Sequence, residues 1–339
     1  MSAVYVVVPD GFDDPERPSG GNVYDREVCR RLGTSGWLVQ VRAVPGPWPS
    51  PDAAARAALA STVAAIPDGA VVLLDGLIAS TLPEVLVPEA TRLREIVLVH
   101  MPLDTAQECA VFEAAAAVIT TSAWTRERLL DLYGLRPAQL HIAEPGVDAA
   151  ALAPGTAAGG ELLCVATVAP HKGHDVLLEA LATMTDLPWR CTCVGPLDLE
   201  FAGRLGRQAL TDRISDRVHF TGPLAGAELD LAYAKADALV LASYAETFGM
   251  VVTEALARGL PVIATCVGGI PEALGGGIPP GLLVPPGDSA ALAGALRRWL
   301  ADAALRQRLR NAARQRRATL ADWSATSRRI ASVLSEVAA

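Results

Sequence analysis

The chain has 339 residues, 51% hydrophobic and 19% charged, which leaves room for two ordinary domains and excludes a disordered polymer. No uninterrupted apolar run reaches the roughly 18 residues of a membrane span, and the N-terminus enters "VYVVV" without a basic segment or cleavage site, so the expected location is the cytoplasm. The net charge of -8 belongs to residues 1–148, with 19 Asp+Glu against 11 Lys+Arg, while residues 149–339 carry 18 of each; this argues against nucleic acid as a partner.

In chain order, short β-branched runs alternate with Ala/Leu-rich helical stretches. "VYVVV" precedes a predicted helix over 22–35, "LVQVRAV" one over 52–65, "AVVLLD" one over 79–87, "EIVLVH" one over 105–115, and "AVIT" one over 123–133. A Gly/Ala/Pro-rich interval, 149–160, reads as a linker. The rhythm then restarts: "ELLCVATV", helix 175–184, "RCTCVG", helix 198–212, "RVHF", helix 226–235, "ALVLA", helix 249–258, "PVIAT". Strand and helix in turn imply a parallel sheet covered on both faces, here twice over. The expected domains are 1–148 and 149–321, with a final helix at 322–339 that has no strand after it and could fold back on the first domain.

Six cysteines lie mostly in apolar runs, and the one close pair is C-x-C; they read as buried free thiols rather than as a metal site or disulfides. The first strand lacks the G-x-G-x-x-G turn of a plain dinucleotide dehydrogenase, which weakens an oxidoreductase reading.

Ligands of doubly wound sheets bind at the carboxyl ends of the strands, which makes the loops there the candidates, with the cleft between two such sheets as the expected site. "YAETFG" follows "ALVLAS" and leads into a helix whose first amides and dipole favour an anion. Glu246 falls in that loop and Glu254 falls in the helix, too far apart to share a partner, as two ends of one polyol-bearing ligand would require. On spacing alone, a solvated helix glutamate is the favoured explanation of E-x7-E. Lys172, one of only two lysines, sits beside Gly173 at another helix entrance, where Asp175 is placed to cap. Gly20 and Gly21 stand ahead of the first helix and permit close backbone approach, or simply a tight turn. "VGGIPEALGGG" adds Glu272, with a surface loop as the plainer reading. Eight arginines between 297 and 317 read as a solvated helix face, with contact to a membrane surface as the alternative.

Taken together, the N-terminal Gly-Gly, "VLVHMP", "VITTSAWTRERLLDLYG", "EPGVD", "APHKGHDVLLEAL", "ETFGMVVTEALARGLPVIAT", "VGGIPE" and "GLLVPPGD" resemble the retaining glycosyltransferases of family 4, over nearly the whole chain. The resemblance implies the GT-B fold, two Rossmann-like domains facing an interdomain cleft, the first holding the acceptor and the second a nucleotide diphosphate sugar such as a UDP- or GDP-sugar. It implies that Glu254 binds the ribose, that Glu246, Lys172 and His100 serve the reacting sugar and diphosphate, and that Gly20, Gly21, Thr167, Gly195, Phe248, Gly249, Met250 and Val251 line the donor. It further implies a metal-independent reaction with no cofactor, and no Asp-x-Asp motif is present. The family's usual Gly-Arg before the lysine is Ala166-Thr167 here, and its Asn-Gly-Val-Asp is Pro145-Gly146-Val147-Asp148. The acidic first half points to a small neutral or cationic acceptor. A non-catalytic subunit that binds nucleotide sugar, or an epimerase or hydrolase on the same fold, fits the same motifs.

Overall fold

The computed structural model describes residues 2–14 and 19–339; residues 1 and 15–18 lie outside them. The chain divides into two compact units, Met1–Gly146 joined by Ala321–Ala339, and Val147–Leu320.

The first unit runs β1 (Ser2–Pro9), α1 (Gly20–Leu32), β2 (Trp37–Val44), α2 (Ala53–Ala64), β3 (Val71–Asp75), α3 (Gly76–Ala79), α4 (Pro83–Glu89), β4 (Arg94–Val99), α5 (Ala106–Ala114), β5 (Ala117–Thr120), α6 (Ala123–Tyr133) and β6 (Leu140–Ile142). Its sheet is parallel in the order β2-β1-β3-β4-β5-β6. Every residue of β3 and β5 is buried, as central parallel strands covered on both faces require, whereas edge strand β2 is exposed along much of its length. Helix starts are fixed by side-chain caps: Ser19, Asp52, Thr105 and Ser122 each accept a hydrogen bond from a first-turn amide.

The second unit runs β7 (Glu161–Val165), α7 (His174–Ala182), β8 (Arg190–Val194), α8 (Leu199–Thr211), β9 (Val218–Gly222), α9 (Gly226–Lys235), β10 (Ala238–Leu241), α10 (Met250–Ala257), β11 (Val262–Thr265), α11 (Ile270–Leu274), β12 (Gly281–Val284), α12 (Ser289–Ala301) and α13 (Ala303–Arg317). Its sheet is parallel in the order β12-β11-β10-β7-β8-β9. The last helix, α14 (Trp323–Ala338), belongs to the first unit. There Trp323 packs edge-on against Tyr24 of α1 at 5.7 Å, and Thr326 Oγ1 donates to the Glu144 carbonyl at 2.7 Å.

The structure corrects three local expectations. The interval 149–160 is no free linker: Ala153 N donates to the Arg258 carbonyl, and the buried Asp237 carboxylate accepts from Thr156 N, from Thr156 Oγ1 (2.6 Å) and from Glu161 N (3.0 Å). Gly20 and Gly21 are not a loop ahead of α1 but its first two residues, because Ser19 supplies the cap. Likewise Asp175 caps nothing. Gly173, at φ 65°, ends the preceding turn in the left-handed region and lets α7 begin at His174, which puts Asp175 in the first turn.

Among the described residues, no helix is long and apolar enough to cross a membrane. Cys164, Cys191 and Cys193 are buried as expected, but Cys29 and Cys109 are only half-buried and Cys266 is exposed. In the arginine-rich stretch four of the side chains turn inward and a fifth, Arg297, pairs at the surface. Arg306 donates to the carbonyls of Trp299, Leu300 and Ala157; Arg310 pairs with Asp237; Arg316 and Arg317 reach the carbonyls of Ala273 and Ala150; Arg297 pairs with Asp186.

Candidate functional site

In the second unit strand order reverses between β7 and β10, the place where doubly wound sheets leave a crevice at their carboxyl edge. The loops leaving β7, β10 and β11 meet there. Tyr244 N donates to the His171 carbonyl at 2.9 Å, joining the first two, and Gly269 N donates to the Glu246 carbonyl at 3.0 Å, joining the second and third. The glycines are required by these approaches: a Cβ on Gly173 would land on the Ala242 carbonyl, and one on Gly268, at φ 52°, on that of Glu246.

Within this knot Lys172 Nζ lies 2.7 Å from Glu246 Oε1, which also accepts from Ser243 Oγ at 2.8 Å. Both charged side chains are largely, though not fully, withdrawn from water. The Ser243 carbonyl is itself held by Thr265 Oγ1 at 2.6 Å. Phe248 is buried, Gly249 takes φ 85° at the N-cap of α10, and Met250 opens the helix, so the first-turn amides are presented without a side-chain cap. Val251 packs partly into the core. Gly195 follows β8 at φ 149°, where a Cβ would strike the Ala166 carbonyl, and the neighbouring Thr167 side chain is exposed.

Glu254 lies one turn into α10 and has separate partners. Its Oε2 accepts from Tyr233 OH at 2.8 Å, and Arg258 stacks over the Tyr233 ring at 4.3 Å while donating to the Glu254 carbonyl. Burial raises the Glu254 carboxyl above its ordinary range, opposed by the Tyr233 hydrogen bond and by Arg258. Burial beside Glu254 in turn pushes the Tyr233 phenol far up, so it remains a donor.

The first unit holds its own polar cluster near the switch between β1 and β3. His100, just past β4, has Nε2 2.9 Å from Asp25 Oδ1 of α1 and 3.7 Å from Asp75 Oδ2 at the end of β3. Burial pulls the imidazole down, but the Asp25 charge and hydrogen bond, with help from Asp75, carry it up to about 9. Asp75 is raised well above the carboxylate range, first by burial and then by Asp25. Gly21 makes room for the ring, since a Cβ there would come 3.2 Å from His100 Cδ2, and Tyr24 stands edge-on to it at 5.2 Å. The loop after His100 is held by the buried carboxylate of Glu108, which accepts from Leu103 N (3.0 Å), Asp104 N (3.2 Å), Ser80 Oγ (2.8 Å) and Tyr133 OH (2.6 Å).

The residues named from the sequence thus fall into three groups: Lys172 with Glu246 and the Gly249 helix entrance, Glu254 on the same helix, and His100 with Gly21 in the other unit. Sequence reasoning missed Asp25, Asp75, Tyr233 and Ser243. Asp75 had a signal, a carboxylate ending the apolar run "VVLLD"; Asp25 and Tyr233 are helix residues whose partners come from other elements.

Residues 159–316 match the family described as Glycosyl transferases group 1. D-inositol 3-phosphate glycosyltransferases of Kineococcus radiotolerans and Frankia alni are 35% and 36% identical to this chain, in each case over 64% of it and over 56% and 58% of their own length. The chain therefore spans little more than half of these curated relatives. Among solved structures, sucrose-phosphate synthase from Thermosynechococcus elongatus superposes with a TM-score of 0.81 at 23% identity, covering 99% of both chains. Anabaena Alr3699/HepE in complex with UDP-glucose gives 0.77 at 19% identity, covering 99% of this chain and 100% of its own. Residues 159–316 thus form a glycosyl transferases group 1 domain, on a chain whose whole length has the GT-B-like α/β fold.

Proposed function

We propose that this protein is a retaining, metal-independent glycosyltransferase that moves a hexosyl group from a nucleoside diphosphate sugar to a hydroxyl of a small acceptor. The observation that carries the reading is the Lys172–Glu246 pair, set among glycines at the switch point of a sheet whose segment matches group 1 glycosyl transferases. The leaving diphosphate needs positive charge and aligned amides, which Lys172 and the first turn of α10 offer. Glu246 addresses hydroxyls of the donor sugar, and Glu254 addresses the ribose through the carboxylate oxygen that Tyr233 does not take. UDP is the expected nucleotide, since the similar Anabaena structure holds UDP-glucose.

In the transfer, the bond between the anomeric carbon and the diphosphate oxygen breaks as the acceptor oxygen bonds to that carbon on the same face. The acceptor proton passes to the departing phosphate oxygen. His100, charged below about pH 9, is assigned to hydroxyls of the sugar near the reacting carbon. The acidic excess of residues 1–148 favours a neutral or cationic acceptor. A second reading, a phosphorylated cyclitol, is favoured by the names of the relatives.

The test is turnover of UDP-glucose with and without acceptor, comparing inositol with D-inositol 3-phosphate. Acceptor-dependent release of UDP with an α-configured product supports the reading. Donor consumption without acceptor points to a hydrolase or epimerase, and UDP binding without turnover points to a non-catalytic binding subunit.

A further inference from the structure

Behind the Lys172 loop, three metal-ligating side chains converge in the core of the second unit. Cys164 of β7 and Cys193 of β8 are register partners on adjacent parallel strands, and His174 is the first residue of α7. Each is about 1% exposed, and one ligand atom from each lies within 4.8 Å of the others. Cys164 Sγ and His174 Nε2 are 3.6 Å apart. A tetrahedral zinc with bonds of about 2.3 Å to sulfur and 2.0–2.1 Å to nitrogen sets an S···N edge of roughly 3.6 Å. The other ring nitrogen, His174 Nδ1, is buried without a hydrogen-bond partner, so the thiols are the imidazole's polar engagement. The β8–β9 register slips between Cys193 and Val194, a local irregularity of the kind that re-aims a side chain. Cys191, two residues before Cys193 on the same face of β8, is buried as well.

We propose that Cys164, His174 and Cys193 bind a thiolate-preferring divalent cation, zinc first among them, as a structural clamp that fastens the start of α7 to β7 and β8. The cation plays no part in glycosyl transfer. Its consequence for the donor, a Lys172 loop held in place by the neighbouring His174, rests on the proposed donor site; its presence does not, so the two readings fail separately.

The experiment is elemental analysis of the full chain purified without chelator, followed by denaturation, chelation and refolding under reducing conditions with cobalt(II). About one zinc per chain and, after exchange, the near-ultraviolet charge-transfer band of cobalt thiolate are the expected results. Cys193→Ser should lose both, while Cys266→Ser, remote from the cluster, should keep both. Because the wild-type chain is read directly, a Cys193→Ser chain that failed to fold would not spare the proposal. Wild-type protein with no zinc and no cobalt-thiolate band, or metal retained in folded Cys193→Ser, overturns it.

Discussion

Lys172 and Glu246, 74 residues apart, form a single ion pair of 2.7 Å between the loops that follow β7 and β10. Without a ligand the cation is held by the carboxylate. On the proposed donor site, a diphosphate at the Gly249 helix entrance would compete for Lys172 and free Glu246 for hydroxyls. The lysine is therefore stored in place at low entropic cost rather than searching from solvent.

Lys172→Ala removes a charge-assisted contact worth about 1.5–3 kcal/mol, so the affinity for UDP should fall by about 10- to 100-fold. The affinity for UMP should fall much less. Titration calorimetry with both nucleotides checks this, and equal losses would take Lys172 away from the distal phosphate.

Tyr233→Phe tests the support of Glu254. The phenol donates to Glu254 and lowers a carboxyl that burial raises, so its loss should lift that carboxyl further. UDP binding in the variant should weaken on going from pH 8 to pH 6 more steeply than in the wild type. Glu254→Gln should weaken UDP at both pH values and remove the difference.

Asp25→Asn should lower the titration midpoint of His100 from about 9, read by the histidine ring resonances in NMR. The folded value lies above the unfolded one of about 6.5, so the contribution to stability is fully present below about pH 6.5 and disappears as pH rises toward 9. The variant should lose that part of the pH dependence, and an unchanged His100 midpoint would mean that Asp75 alone holds the charge.

Glu95, in β4, is buried with neither carboxylate oxygen hydrogen-bonded, and burial first, then Glu89, push it up to about 8. From about pH 4.3 to about pH 8 the unfolded chain ionises this group while the folded one keeps its proton, so stability declines across that window. The decline is on the order of 5 kcal/mol by pH 8. Glu95→Gln should flatten it, as measured by urea midpoints at pH 5 and pH 8.

Gly268→Ala would place a methyl group on the Glu246 carbonyl at a backbone angle of φ 52°. A loss on the order of 2–4 kcal/mol, with loss of UDP binding, is expected from the forced separation of the two loops. Gly276→Ala has open space around its Cβ and serves as the neutral control. Thermal unfolding of both variants, with and without UDP, decides the matter.

Two doubly wound sheets were legible from the sequence because fully buried parallel strands are written as unbroken β-branched runs, such as "VVLL" and "AVIT", and each is followed by a helix-length stretch. Lys172 and Glu246 could be placed at the carboxyl edge because they stand in loops directly after such runs, whereas Glu254, a turn into the helix, was singled out only by its spacing from Glu246 and by the family resemblance. β6 and β12 were not read as strands: β6 has only three residues, only the two end residues of β12 are buried, and both are strands by their pairing with β5 and β11. The attachment of α14 to the first unit also depended on packing, through Tyr24 and Trp323, which stand about 300 positions apart. The same holds for the partners that set charge: Asp25 and Asp75 on His100, Tyr233 on Glu254, and Cys164 with His174 and Cys193. Sequence by itself determined which polar residues reach the ends of strands, because that is a local matter of period and spacing. Only the tertiary structure decided which of them touch, because desolvation and pairing act between elements that the chain order separates.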